Sequence, residues 1–301
     1  MTDLNAIVNA WAQWMNTKWK GGGIRYTAST DYNAVDSWLW KNYPQYQVVV
    51  TPVSFSYSPA PAPVMSTQSS VTTNNVNKTG IQESVQYTQG MTTQQQFTWT
   101  VTNALSVGVE VTASVGVPSV ANVGSKVSTT LSFTKTTTTQ VTNTQNWSVM
   151  LPVVVPPRTT IDTRLVVTIG TYNVPWTATA VLMKSVAIWF NNKVALNGGS
   201  DAHNLWFVPI TTVFADVATN LKGVNLSGYQ NYFGGGVGAT SSGTFTGGQG
   251  VQAAVDFTQP TAAEADAAAA TQNITSMVPL DNGMSTLIGV DAPVEAAIPV
   301  S

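Results

Sequence analysis

The chain has 301 residues, long enough for one large or two modest domains with a buried core. Charged side chains make up only 9% of it and the net charge is −2, which argues against nucleic-acid binding, since that needs a basic patch. The absence of Cys excludes disulfides, thiolate zinc sites and cysteine nucleophiles, and the single histidine, His203, excludes a two-histidine metal site.

Apolar content of 43% with ten Trp marks a chain that folds. Thr is about one residue in seven, and Thr with Val favours pleated, half-buried strands, so the predicted class is mainly β. No run of about 18 apolar residues predicts a membrane helix. The opening MTDLNAIVNA lacks the basic and long apolar segments of a signal peptide. The first 222 residues hold 12 bases and 8 acids (net +4), whereas the remainder carries six acids and no base (net −6).

In chain order, Leu4, Ile7, Val8, Trp11 and Met15 recur at helical spacing, so residues 3–19 read as an amphipathic helix ended by Gly21, Gly22 and Gly23. Residues 31–43 read as a second short helix closed by Pro44, and the Pro-rich stretch 58–64 as an extended linker. From about 70 to 190 the pattern is strand-like. The glycine-rich 234–250 reads as a turn plus a weak strand, and 261–271 as a short helix in an acidic, Ala-rich tail.

The informative stretch is 104–134. Odd positions from 107 to 117 are Val, Val, Val, Ala, Val and Val, while even positions are small or polar, and the alternation resumes after Pro118 and Ser119. Period 2 on both sides of a turn predicts a hairpin with one apolar face. Pairing Val117 with Val123 brings apolar to apolar along arms of about eleven residues, with a loop at 118–122. That length matches the roughly 9–11 residues of a tilted membrane strand. A lone hairpin in lipid leaves its edges unpaired, so a spanning role requires a barrel built from many copies. The alternative is a half-buried sheet in a soluble protein. The polar face weighs against it, because Glu110 and Lys126 are its only charges and the flanks 88–103 and 135–146 continue as uncharged polar strands.

The order of a polar strand, an alternating hairpin, the return strand STTLSFTKTTTTQVTNTQNW and a proline-marked strand at 151–169 (LPVVVPPRTTIDTRLVVTI) resembles the epsilon-toxin/mosquitocidal-toxin branch of the aerolysin-like β-pore-forming toxins. Residues 228–257 resemble later strands of that family, and the resemblance spans roughly 70–260. It implies an elongated aerolysin-like architecture of long antiparallel strands with a small helix-containing N-terminal cap. The expected organisation is a cap at 1–65, joined in space by 195–233, a pore-forming region at 66–195 and 224–260, and a tail at 261–301 removed on activation.

The implied activity is that of a secreted bacterial toxin, with insects among the expected targets. It would bind a cell-surface receptor (glycan, lipid or protein), be clipped by an activating protease, form a homo-oligomeric ring and pass a hairpin into the target-cell membrane. The implied lipid face is Val107, Val109, Val111, Ala113, Val115, Val117, Val127, Leu131 and Phe133, with Glu110 and Lys126 in the lumen. No cofactor, metal or nucleic acid is implied. A trypsin-like protease has no site after Lys222, so removal of the tail needs another specificity. The alternative function is a carbohydrate-binding lectin or adhesin.

Tyr26, Tyr43 and Tyr46 are candidate receptor contacts, whereas Trp11, Trp14, Trp38 and Trp40 read as core. Asp201 and His203 have no G-x-S-x-G serine to complete a triad, so the histidine reads as a loop residue and the protein as a non-enzyme. Asp162 and Arg164 read as a surface pair on one strand face.

Overall fold

The computed structural model describes residues 1–30, 34–51, 53–70, 72–118, 127–199, 201–232, 234–258, 272–279 and 285–287. The first helix, α1 (Leu4–Trp19), starts where the Asp3 carboxylate accepts a hydrogen bond from Ala6 N–H at 3.1 Å, and ends at Lys20 in the left-handed region (φ 54°). It buries Leu4, Ile7, Val8, Trp11, Ala12 and Met15. Then follow β1 (Ile24–Ala28), α2 (Ala34–Asn42), the short strands β2 (Val49–Val50), β3 (Ser54–Tyr57), β4 (Val64–Ser69) and β5 (Thr73–Val76), and the long β6 (Glu83–Asn103). A small hairpin, β7 (Thr112–Gly116) and β8 (Ser128–Ser132), precedes β9 (Thr138–Val155), β10 (Thr160–Met183), β11 (Ser185–Val194) and β12 (His203–Pro209). The chain continues through α3 (Ile210–Asn220), β13 (Tyr229–Tyr232), β14 (Gly236–Thr258), β15 (Gln272–Pro279) and β16 (Ser285–Leu287).

The protein is mainly β, and its pairing is antiparallel throughout the named strands. β10, β14 and β6 have 24, 23 and 21 residues, or roughly 70–80 Å at the usual rise per residue. β14 is the spine. One edge pairs with β10 almost end to end, and the other pairs in turn with β13, β6 and β15. The outer edge of β10 takes β2, β3, β4 and β5 in succession, with the Pro-rich 58–63 strap lying between β3 and β4.

β6 pairs with β14 only through residues 96–103. Below that point the β6–β9 ribbon folds over β10 and β14, and Tyr87, Trp147, Val149, Leu151, Val153 and Val155 pack on Leu165, Val167, Ala253, Val255 and Phe257. A second, larger core gathers Trp99, Trp176, Phe245, Phe133 and the apolar face of α1. Between the two lies a buried polar layer. Gln95 donates to Gln145 at 2.7 Å, and the Trp147 indole donates to Thr93 at 2.9 Å.

Four features differ from the sequence-based expectation. Residues 234–250 are most of the long central β14, not a weak strand; its glycines let it lie beneath large rings, since a Cβ at Gly243 would collide with Trp176 and one at Gly250 with Trp147. Residues 151–169 form two strands rather than one, because Pro156 and Pro157 turn the chain and Arg158 adopts φ 55°. Ile210–Asn220 is a helix within a stretch that reads only as aromatic-rich; Ile210, Val213, Phe214 and Val217 supply its buried stripe. Part of the tail, β15, is built into the sheet against β14, and the helix expected at 261–271 lies outside the described residues.

The cap end is built on a separate three-stranded sheet, β1-β11-β12, so β11 leaves the long sheet. One face packs α1 and α3 on Val186, Ile188 and Phe190, and the Trp11 indole donates to Asp216 of α3 at 3.0 Å.

Phe245 is fully buried and touches Tyr57, Phe97 and Trp99. Phe245→Ala is expected to cost about 3–5 kcal/mol, read as a lower urea midpoint with an unchanged slope.

Candidate functional site

The hairpin's register follows from its own alternation. Thr112 faces Ser132, Ala113 faces Leu131, Ser114 faces Thr130, Val115 faces Thr129 and Gly116 faces Ser128. Val117 N–H donates to Val127 O at 3.2 Å, so the described pairs add to 244, where the expected pairing of Val117 with Val123 would add to 240. Odd residues still meet odd ones, and Val123 with the rest of 119–126 lies outside the described residues. The strands have five residues each, not eleven, because the ascending arm leaves the ladder below Val111. Pro118 lacks the N–H needed to continue the ladder.

Among the described residues β7 and β8 pair only with each other. A free two-stranded ribbon is marginal in water. This one is held by side chains. Val107, Val111, Val115, Leu131 and Phe133 are buried, and Val109, Ala113, Val117 and Val127 are half-buried. The Phe133 ring sits edge-on to Trp176 at 5.8 Å and against Phe55 at 6.2 Å. Each large apolar side chain so buried contributes about 1.5–3 kcal/mol. On the other face Thr112, Ser114, Gly116, Ser128 and Thr130 are exposed and uncharged. Glu110 is exposed and accepts from the Ser132 hydroxyl at 3.2 Å, while Lys126 lies outside the described residues.

One polar contact ties the tip to the body. The Tyr57 hydroxyl donates to Gly116 O at 2.5 Å and accepts from the Trp99 indole N–H at 2.7 Å. Burial pushes the Tyr57 phenol up to about 12, opposed by the Trp99 hydrogen bond. Beside it, Tyr57, Ser58, Ala60, Pro61 and Pro118 line an open cleft between strap and hairpin.

The second face of the cap sheet carries an aromatic cluster. Tyr46 stacks on Phe207 at 4.3 Å, Tyr43 lies 5.2 Å from the same ring, and Trp40 is buried beneath them. Tyr26 packs on Trp189 at 5.4 Å, with the Arg25 guanidinium over that indole. Trp38 is 53% exposed and edge-on to Tyr43, not in the core, because it lies on the side of α2 away from the sheet that Leu39 and Trp40 cover. Phe207, the centre of the cluster, was missed; its signal was the alternation with Leu205.

Two further expectations are settled by pairing. Arg164 bridges to Asp256 at 3.1 Å, not to Asp162, because cross-strand neighbours sit closer than residues two apart on one strand. His203 lies 2.9 Å from Asp201 at the surface, at the start of β12. Among the described residues no three His, Cys, Asp or Glu side chains converge as a metal site, and no helix is long and apolar enough to cross a membrane.

Long antiparallel strands, a helix-bearing cap and a separately packed amphipathic hairpin are the architecture of a β-pore-forming toxin. The chain belongs to the family described as Clostridium epsilon toxin ETX/Bacillus mosquitocidal toxin MTX2, whose model matches residues 31–271. The "Cytotoxin" of Pseudomonas aeruginosa is 31% identical over 252 residues, 81% of this chain and 84% of that one. A non-toxic crystal protein from Bacillus thuringiensis superposes with TM-score 0.64 at 11% identity, covering 88% of this chain and all (100%) of that one. The Mpp75Aa1.1 β-pore-forming protein from Brevibacillus laterosporus gives 0.54 at 17% identity, covering 91% and 95%. A fold shared by a β-pore-forming protein and a non-toxic crystal protein shows architecture alone, so the function rests on the hairpin.

Tyr57→Phe removes a donor to Gly116 O and an acceptor for Trp99, and is expected to cost about 1–3 kcal/mol, with faster deuterium exchange at 112–116 and 128–132 than in α1. A phenol whose pKa is higher folded than unfolded stabilises fully below pH 10, and that contribution is lost as the pH climbs toward about 12. In an alkaline titration the wild type should lose stability in that window, and the Tyr57→Phe variant less so.

Proposed function

We propose that this protein binds a target-cell surface, assembles into a homo-oligomeric ring and passes its β7–β8 hairpin through the membrane as part of a shared β-barrel. The observation that carries the reading is a hairpin whose apolar face is packed away while its backbone pairs with no other strand among those described. Side-chain packing alone is reversible without tearing the main sheet. Once released, the ribbon offers one greasy and one wet face, and closure with ribbons from other copies satisfies its edges.

Val107, Val109, Val111, Ala113, Val115, Val117, Val127, Leu131 and Phe133 are the lipid face of this proposal, and Glu110 and Lys126 point to the lumen. The receptor surface is the aromatic cluster, with Tyr46 and Trp38 as its exposed rim and the half-buried Tyr43 and Tyr26 beside them. Trp and Tyr rings of this kind present large, rigid contact area at low entropic cost. The tail acts as a cover: β15 occupies the edge of β14 at 253–257, and its proteolytic removal would free that edge for a neighbouring copy. The protease acts after a residue other than Lys or Arg, since none follows Lys222.

Ala113 is half-buried and Ser114 exposed, so both tolerate substitution in the soluble form better than the core valines. Ala113→Glu should abolish dye release from liposomes of target-membrane lipid while leaving cell binding intact, whereas Ser114→Glu should release dye like wild type. Equal release by both variants would sink the assigned lipid face. Trp38→Ala with Tyr46→Ala should weaken binding to sensitive cells at least ten-fold (about 1.4 kcal/mol) and leave the thermal midpoint within a few degrees.

A further inference from the structure

The two ladders that carry the hairpin are out of step. β6 and β9 pair residues whose numbers add to 238, from Glu83 with Val155 to Thr100 with Thr138. That register persists beyond both strands, as Val101 N–H donates to Thr137 O at 2.8 Å and Leu105 N–H to Phe133 O at 2.7 Å. β7 and β8 pair residues that add to 244, and this register begins where Phe133 N–H donates to Val111 O at 2.9 Å. Phe133 therefore stands in both ladders, its carbonyl in the first and its N–H in the second. From Ser106 through Val111 the ascending arm carries six residues that the descending arm lacks.

This surplus is clipped to the cap. Ser106 O accepts from Leu4 N–H at 2.8 Å, and the Ser106 hydroxyl donates to the Asp3 carboxylate at 3.1 Å. The Tyr229 hydroxyl lies 3.0 Å from Ser106 O and 3.1 Å from Thr2 O, its one proton shared between them. Val107 O accepts from the buried Thr30 hydroxyl, the Val107 side chain is fully buried, and Gly108 turns the chain at φ 80°.

We propose that these six residues are a stored register shift: on insertion the clip opens, the surplus enters the ladder, and the whole ribbon zips at 238. The proposal rests on the pore-forming reading and says how the same hairpin is regulated. Three physical reasons support it. A bulge of six residues in hydrocarbon would leave backbone groups unpaired at several kcal/mol each, so a spanning ribbon has to lose it. The ladder now runs only from 111 to 117 on the ascending arm, seven residues against the roughly 9–11 that a crossing needs, and feeding in 106–110 makes up the difference. The two registers differ by an even number, so apolar residues keep facing apolar ones; Val107 would meet Leu131 and Val111 would meet Val127. A shift by an odd number would set valines against serines. The Phe133 N–H would pass from Val111 O to Leu105 O, and the tip would advance three residues toward the ascending arm.

The chain has no cysteine, so paired cysteines report register cleanly. Ser114→Cys with Thr130→Cys bridges the present register, at a directly opposed pair on the exposed face. Glu110→Cys with Ser128→Cys bridges the shifted one; in the soluble form Ser128 lies four residues beyond Ser132, which Glu110 contacts, or roughly 13 Å along the strand. The expected result is that the oxidised first pair binds liposomes without releasing dye until a reductant is added. The second pair should stay reduced in solution and bridge within the assembled oligomer, where the first pair does not. Full release by the oxidised first pair, or bridging of the first pair but not the second in the oligomer, overturns the shift while leaving the pore intact. Absence of dye release from wild type and both reduced variants overturns the pore-forming reading itself, and the register shift with it.

Discussion

The constraint on which the structure turns is that the β7–β8 ribbon has no strand partner beyond itself among the described residues and must be held by its side chains. Phe133 wedged against Trp176 and Phe55, with four buried aliphatic neighbours, supplies that hold, and the Tyr57 hydroxyl adds one bond at the tip. A ribbon hydrogen-bonded into the main sheet would be more secure but would have to break many backbone bonds to leave. Attachment through an apolar face makes the stored form stable in water, and the same face is then available to another apolar medium.

The rest of the molecule serves this arrangement. β14 is a spine of small residues, so rings from β10 and β9 can lie across it, and its length lets one strand run from the cap to the lower sandwich. Two apolar cores are separated by the amide and hydroxyl layer of Thr93, Gln95, Gln145 and Gln249 where β6 parts from β14. Buried amides that bond to one another set register more strictly than interchangeable methyl groups do, because a slip leaves them unpaired. The cap closes the upper core with α1 and α3 and in the same place holds the start of the ascending arm.

Much of this was legible along the chain. The stripe of Leu4, Ile7, Val8, Trp11 and Met15 marks α1 unambiguously, because helical period and buried face coincide. The alternation from 107 to 117 and from 127 to 133 identifies which hairpin residues are covered, and all nine apolar positions lie against the body to some degree. The α3 stripe was present too, but its Thr and Val content favours strand by propensity, and packing on α1 overrode it. The weight of β14 was hidden because glycine has no side chain to show a pattern; what makes the strand central is the rings that cover it. In β10, the inward set changes from odd residues at Leu165 and Val167 to even ones at Val174 and Trp176 across a bulge opposite Val251, which blurs any single period.

Sequence alone determined the class of the fold, the first helix, the uncharged polar strands and the parity of the hairpin faces. These follow from local backbone preference and from which side chains avoid water, and each is written in consecutive residues. Tertiary structure decided the hairpin's register, its short strands, the partner of Arg164 and the exposure of Trp38. Those depend on where distant segments arrive: Asp3, Thr30 and Tyr229 hold the ascending arm at Ser106 and Val107 across 77 to 123 residues of chain. No local period encodes a clip between residues so far apart, because the free energy that selects it exists only once the cap and the ribbon are packed together.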